Sequence, residues 1–275
     1  MTKKILTAVI VIALAVVFLG CSNKNKIKIT SLKGPTSVGI SEIIADKNYE
    51  TNIVAQADVA VSDLVSGKTD IALIPSNLAL NIYNKNKSIK VIDINTLGVL
   101  CAVSQNATSL EGHKIYMTGK GTIPEILVRK CTDNTDIEFK NEAAEVVSFI
   151  SKDPDAVGII NEPQATIAVN KNPKLKKFSS PLEDTITGVT VVNKDFQKDK
   201  IDQFIKDHRE SVAAVQDNPR LAIESGIFEN TDFIEEAIKN CNICCITGSE
   251  MKDKLSNFYT KIDMQAPDDD FYYEG

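Results

Sequence analysis

Tryptophan is absent from the 275-residue sequence, histidine occurs twice, and aromatic residues make up 6% of the chain. With His113 and His208 alone, a His-rich metal centre is excluded, and a nucleophilic cysteine has few bases to orient it. Any stacking on an aromatic ligand falls to Tyr or Phe, with Tyr116 near a candidate turn. No dinucleotide fingerprint is present, because Gly119-Lys120-Gly121 lacks the third glycine, and the same segment fails the phosphate-loop pattern. No Gly-x-Ser-x-Gly elbow occurs either. Basic charge is in deficit, with 31 Lys and Arg against 37 Asp and Glu and a net charge of −6. That balance argues against nucleic acid as a partner. The run Lys171, Lys174, Lys176 and Lys177 reads as a solvated turn, and Asp268-Asp269-Asp270 as a solvated tail. A composition of 43% hydrophobic and 25% charged residues is that of a globular protein and excludes a disordered or fibrous chain.

One long apolar run is present, from Ile5 to Gly20, broken only by Thr7 and preceded by Lys3 and Lys4. Read as an uncleaved membrane anchor, the alternative, it spans roughly 24 Å at about 1.5 Å per residue, short of a bilayer core of about 30 Å. Basic residues, an apolar run and Phe18-Leu19-Gly20-Cys21 read as a lipoprotein signal. Residues 1–20 are then a signal peptide, Cys21 carries the lipid, and residues 21–26 form a polar tether. Lipid on Cys21 anchors stably because each buried CH₂ contributes about 0.8 kcal/mol. Cleavage takes Lys3 and Lys4 away and moves the net charge from −6 to −8.

Of six cysteines, five remain after Cys21, namely 101, 131, 241, 244 and 245, so at least one thiol stays free. Cys241-Asn-Ile-Cys244-Cys245 has the spacing of half a zinc site, but no second half matches it. The expectation is no metal and no cofactor, with the cysteines buried or with one disulfide using Cys241.

Along the body, strand-like runs alternate with helical ones. Strands are expected at Lys26–Leu32, Tyr49–Ala55, Asp70–Ile74 and Val91–Asn95, with helices over Ser37–Ala45, Asp58–Ser66 and Asn77–Tyr83, the last capped by Ser76. This order predicts a parallel sheet. The pattern restarts with strands at Lys114–Thr118, Asp136–Phe139 and Ala156–Ile160, and helices at Pro124–Cys131, Glu142–Ser151 and Pro163–Val169. Lys33-Gly34 and Lys120-Gly121 occupy matching positions, which suggests two similar lobes. A strand at Thr187–Asn193 and helices at Lys200–Gln216, Pro219–Ser225, Thr231–Lys239 and Ser249–Lys261 follow. Four strand-to-helix turns are rich in small and hydroxyl residues: Gly34-Pro35-Thr36-Ser37, Pro75-Ser76-Asn77, Gly119-Lys120-Gly121-Thr122 and Asn161-Glu162-Pro163. Each turn alone reads as helix capping. Four in mirrored places favour a ligand cleft at the carboxyl ends of the strands.

These segments resemble a known family. Leu32-Lys33-Gly34-Pro35-Thr36, Gly67-Lys-Thr-Asp70-Ile-Ala-Leu-Ile-Pro75-Ser-Asn77, Asn95-Thr96-Leu97-Gly98 and Gly119-Lys-Gly121-Thr122-x-Pro124-Glu125 are similar to lipoprotein substrate-binding proteins of ABC importers. The group is the nitrate/sulfonate/taurine/bicarbonate type, which includes binders of thiamine precursors. The resemblance implies an α/β type II periplasmic-binding-protein fold with two lobes joined by a two-crossing hinge. It places residues 27–98 and 191–275 in lobe 1 and 99–190 in lobe 2. It implies ligand contacts at Gly34, Thr36, Ser37, Ser76, Asn77, Thr96, Gly121, Thr122, Asn161 and Glu162, and no catalytic residue. Glu162 stands where relatives often carry a Pro- and Gln-containing turn, which would favour a cationic or hydrogen-bond-donating group. The implied partners are a small polar solute, anionic or heterocyclic, and ABC permease subunits. The implied state is a monomer, extracytoplasmic and held at the cell membrane through Cys21. The alternatives are an enzyme on the same fold, of the pyrimidine or menaquinone pathway type, and a surface lipoprotein or sensor.

Overall fold

The computed structural model describes residues 26–133, 136–183 and 185–275. The expected signal peptide, Cys21 and the tether up to residue 25 lie outside the described residues. Among the described residues no helix is long and apolar enough to cross a membrane.

Strand β1 (Ile27–Leu32) buries Ile27 and Ile29 in a cluster with Ile71, Leu73 and Phe204. Strands β2 (Tyr49–Val54) and β3 (Ile71–Pro75) run parallel on either side of it. Helix α1 (Pro35–Val38) leads towards β2, helix α2 (Ala57–Val65) towards β3, and helix α3 (Ser76–Asn86) from β3 to β4 (Ile89–Leu97). The second sheet contains β5 (Leu100–Ser104), β6 (Ile115–Met117), β7 (Ile137–Phe139), β8 (Val157–Asn161) and β9 (Lys176–Phe178), with helices α4 (Ile123–Cys131), α5 (Ala143–Lys152) and α6 (Gln164–Lys171). The chain returns to the first sheet with β10 (Ile186–Asn193). It ends with α7 (Lys198–Asp217), α8 (Arg220–Glu224), α9 (Ile234–Lys239), β11 (Ile243–Ile246) and α10 (Gly248–Lys261).

Strand order is β11-β4-β10-β3-β1-β2 in the first sheet and β7-β6-β8-β5-β9 in the second. In each, a first strand lies between two parallel neighbours, β1 between β2 and β3 and β6 between β7 and β8. In each, an antiparallel strand then adds beside the third, β10 on β3 and β5 on β8. The two halves thus repeat one topology. The first sheet is mixed rather than purely parallel, because β10 inserts antiparallel between β3 and β4.

Four local expectations change. Of the helix expected over Ser37–Ala45, only Ser37 and Val38 are α-helical, at the end of Pro35–Val38, and Ile43–Ala45 forms a 3-10 turn. Gly39 has low helix propensity and lies under α7, where a β-carbon would sit 2.5 Å from His208 Nε2. Lys176–Phe178 is a strand, not a solvated turn, and Ile243-Cys244-Cys245-Ile246 pairs with β4. The tail is docked as well. Phe271 is fully buried, the Tyr273 N–H donates to the Val91 carbonyl at 2.9 Å, and Asp268 accepts from Tyr83 and Lys87.

The chain passes between sheets at Gly98–Val99 and again between Phe178 and Ile186. One apolar cluster continues from the first sheet through α10 to Leu127 and Val128 of α4. Burial at about 25 cal/mol per Å² of apolar surface therefore stabilises both halves together.

Candidate functional site

The ends of three strands meet at Gly188. In register, Gly188 lies between Pro75 of β3 and Thr96 of β4. A β-carbon there would fall 2.3 Å from Asn95 Oδ1 and 3.2 Å from Thr36 Oγ1, so only glycine admits both neighbours. Ser76 Oγ donates to the Ile186 carbonyl at 2.7 Å, and Tyr259 donates to the Ser76 carbonyl at 2.9 Å. Thr96 Oγ1 donates to Asn95 Oδ1 at 2.9 Å. Thr36, Ser76 and Thr96, widely spaced in sequence, are therefore gathered around the start of β10. Ser76 is the first residue of α3 and does not cap it; its hydroxyl reaches across to β10 instead. Ser37 turns inward, 2.8 Å from Ser31 Oγ and 2.6 Å from the Leu32 carbonyl that it donates to. Gly34 takes φ +114° with open space on its β-carbon side, and Asn77 is half-buried in the first turn of α3.

Beneath this convergence runs a buried polar chain that the sequence did not disclose. Asn95 Nδ2 donates to Thr190 Oγ1 at 3.1 Å, and Thr190 Oγ1 donates to Asp93 Oδ1 at 2.8 Å. Asp93 Oδ2 lies 3.1 Å from His208 Nδ1. Each of these side chains except that of His208 sits in a run that reads as ordinary strand, so only pairing of β4 with β10 brings them together.

The second group of expected residues is arranged differently. Gly121 and Thr122 are exposed at the start of α4. The Gly121 N–H donates to Glu125 Oε2 at 2.6 Å, and this bond, with Arg129, holds the Glu125 carboxyl below its ordinary value. The positive end of α4 thus already holds a carboxylate. Asn161 is exposed at the end of β8, and Glu162, joined to Pro163 by a cis peptide, is buried. Glu162 accepts from the Thr166 N–H at 3.1 Å, from the Thr166 hydroxyl at 2.9 Å and from Lys177. Lys177, read from sequence as solvated, is the cation that pairs with Glu162. Among the described residues no hydrogen bond joins the Gly188 group to the Gly121 and Glu162 group. The two halves meet instead where Asn240 donates to Thr166 at 2.9 Å and where Lys130 pairs with Asp263 at 2.5 Å.

Two cavities flank the crossings. One of about 430 Å³ is lined by Val38, Leu97, Val215, Gln216, Ile238, Lys239, Asn242, Ile243 and Cys244. Another of about 380 Å³ is lined by Leu97, Glu183, Thr185, Ile186, Lys254, Asn257, Phe258 and Lys261. Neither is lined by an expected ligand residue, although Val38 and Leu97 directly follow Ser37 and Thr96. Tyr116 is buried against Phe149 with ring centroids 4.9 Å apart, so it offers no stacking face.

All five described cysteines are free. Burial pushes the Cys101 and Cys244 thiols up to about 12, and raises those of Cys241 and Cys245 further. Such thiols stay protonated and are poor nucleophiles. His208 is fully buried with Nε2 against Gly39, so it presents no base to a substrate.

No protein-family profile and no curated protein matches the chain. Solved structures do. An ABC transporter protein from Parabacteroides distasonis is 22% identical, with 91% of this chain and 99% of that one aligned at a TM-score of 0.77. The periplasmic aliphatic sulphonate binding protein of Escherichia coli is 10% identical over 91% and 92% of the two chains, at 0.69. A Candida albicans protein described as having the generic periplasmic binding protein structural fold is 14% identical over 90% and 92%, at 0.55. These likenesses, with the paired mixed sheets and the double crossing, show that the chain has the periplasmic-binding-protein fold found in the ligand-binding components of ABC importers.

Proposed function

We propose that the protein is an extracytoplasmic solute-binding component of an ABC importer, anchored through lipid on Cys21 after loss of residues 1–20. It binds as a monomer and has no catalytic activity of its own. Its lobes are divided where sheet membership changes, between Leu97 and Leu100 and between Phe178 and Ile186, and they hinge on these two crossings. The observation that carries this reading is the convergence of Thr36, Ser76 and Thr96 on Gly188 at the strand ends of the first sheet. Gly121, Thr122 and Asn161 face the solute from the second lobe.

The solute is small and polar, and an uncharged heterocycle suits the site better than an oxyanion. Glu125 already occupies the N–H of Gly121, and Glu162 that of Thr166, so the second lobe has few free donors for a negative group. Protonated thiols and an enclosed His208 weigh against an enzyme on the same fold.

A thermal-shift screen over thiamine precursors, alkanesulfonates, nitrate, bicarbonate and amino acids tests the proposal. A hit at 100-fold excess over Kd stabilises by about 2.7 kcal/mol. Thr36→Phe should remove that shift. A hit whose shift survives Thr36→Phe would place the solute elsewhere, and turnover of the hit seen by mass spectrometry would favour the enzyme.

A further inference from the structure

Under α7, apart from the strand-end site, three side chains of metal-ligating type come together. Asp93 of β4, His208 of α7 and Cys245 of β11 each place one donor atom within 4.8 Å of the other two. Asp93 and His208 are fully buried, and Cys245 is half-buried. We propose that these three residues bind one transition-metal ion of borderline softness, Zn²⁺ or a close analogue, and so tie α7 and β11 to β4.

The donor set is the first reason. A thiolate, an imidazole and a carboxylate are the ligands zinc takes, whereas calcium and magnesium sites are built from oxygens. The second reason is charge. Among the described ion pairs Asp93 has no partner other than His208, so a neutral imidazole leaves a buried carboxylate without a counter-charge. A divalent ion would supply it. The third reason is geometry. Asp93 Oδ2 and His208 Nδ1 are 3.1 Å apart, near the edge of a tetrahedron whose bonds are about 2.0–2.1 Å. The other oxygen, Oδ1, is held by Thr190 at 2.8 Å, the kind of outer hydrogen bond that orients a ligating carboxylate. Among the described residues Cys245 makes one hydrogen-bond contact, at 3.9 Å to the Ile205 carbonyl, so its thiol can turn inward.

Nδ1 is the ligating nitrogen, because Nε2 faces Gly39. On binding, the Cys245 thiol gives its proton to solvent. Nδ1 binds through its lone pair with the imidazole proton carried on Nε2, which among the described residues has no hydrogen-bond partner to lose. Bonds from sulfur, nitrogen and oxygen to the ion replace its waters. One retained water completes the shell. Of the cysteines spaced like half a zinc site, only Cys245 takes part. Cys241 donates to the Ala237 carbonyl and Cys244 to the Ile94 carbonyl, each at 3.3 Å.

The full-length chain, purified in mild detergent and stripped with a chelator, is titrated with Zn²⁺ and separately with Co²⁺. The expected result is one retained equivalent of zinc by elemental analysis. With cobalt, a thiolate-to-metal charge-transfer band should appear in the near ultraviolet. Cys245→Ala should abolish both, while Cys244→Ala, one residue away, should keep both. Circular dichroism confirms that each variant is folded. Failure of the wild type to retain an equivalent overturns the proposal, as does a band that survives Cys245→Ala or is lost in Cys244→Ala. Where Cys245→Ala does not fold, Cys245→Ser takes its place: loss of the thiolate band supports the proposal, and a band that persists overturns it.

Discussion

The Asn240 carboxamide donates to the Thr166 hydroxyl at 2.9 Å, joining the end of α9 to the first turn of α6 and thus one half of the molecule to the other. The same hydroxyl donates to Glu162 and accepts from Lys177. Asn240→Ala removes one donor from this knot and leaves every other bond in place. The expected loss is about 1 kcal/mol, the net value of a hydrogen bond exchanged with water. A urea midpoint that does not move would mean that water replaces the carboxamide fully.

Lys177 and Glu162 are not equivalent partners. Glu162 is buried, whereas Lys177 is nearly one-third exposed. Lys177→Met leaves a buried carboxylate without its cation and should cost about 3–5 kcal/mol. Glu162→Gln should cost less, because the amide oxygen still accepts from Thr166 and Lys177 can turn to water. Urea unfolding of both variants measures the asymmetry. Equal losses would show that the pair is screened as surface pairs are.

Gly98 and Glu183 mark the place where the two crossings touch. A β-carbon at Gly98 would lie 2.0 Å from the Glu183 carbonyl oxygen, a backbone atom that no rotamer change can move. Gly98→Ala must push one crossing off the other, at the 1–3 kcal/mol typical of overpacking or roughly that. The melting temperature should fall, and the variant should also shift the solute response, because the crossings form the proposed hinge. A lower melting temperature with an unchanged solute response would make the contact structural only.

Most of the order of strands and helices was legible because it depends on local pattern, although the strands Leu100–Ser104, Lys176–Phe178 and Ile243–Ile246 were not. Ile27 and Ile29 alternate, and Ile201, Phe204, Val212 and Val215 repeat at helical spacing. What was not legible depends on pairing between distant segments. Nothing local marks Gly188 as the meeting point of three strands, or Lys177 as the partner of Glu162 across fifteen residues. The four turns were found by composition. Whether their N–H groups were free could not be, because Glu125 at the Gly121 N–H looks in sequence like any acid in a first helical turn.

Acid should weaken the fold through carboxylates with lowered pKa values. Glu138, paired with Lys114 and Lys140, is held down to about 2, and Glu125 and Asp268 are lowered by the Gly121 N–H and by Lys87. A carboxyl whose folded value lies below its unfolded one stabilises the protein above the unfolded value. That contribution is lost as pH falls through the folded one. The window for Glu138 therefore runs from its ordinary 4.5 down to about 2. The Glu138 and Asp268 carboxyls are well over one-third exposed and Glu125 less so, so screening keeps the effect small and salt should reduce it. The urea midpoint should be flat from pH 7 to about 5 and then decline. Glu138→Gln should shallow that decline without changing the slope of the unfolding curve. A decline of the same steepness in the variant would assign acid sensitivity to other groups.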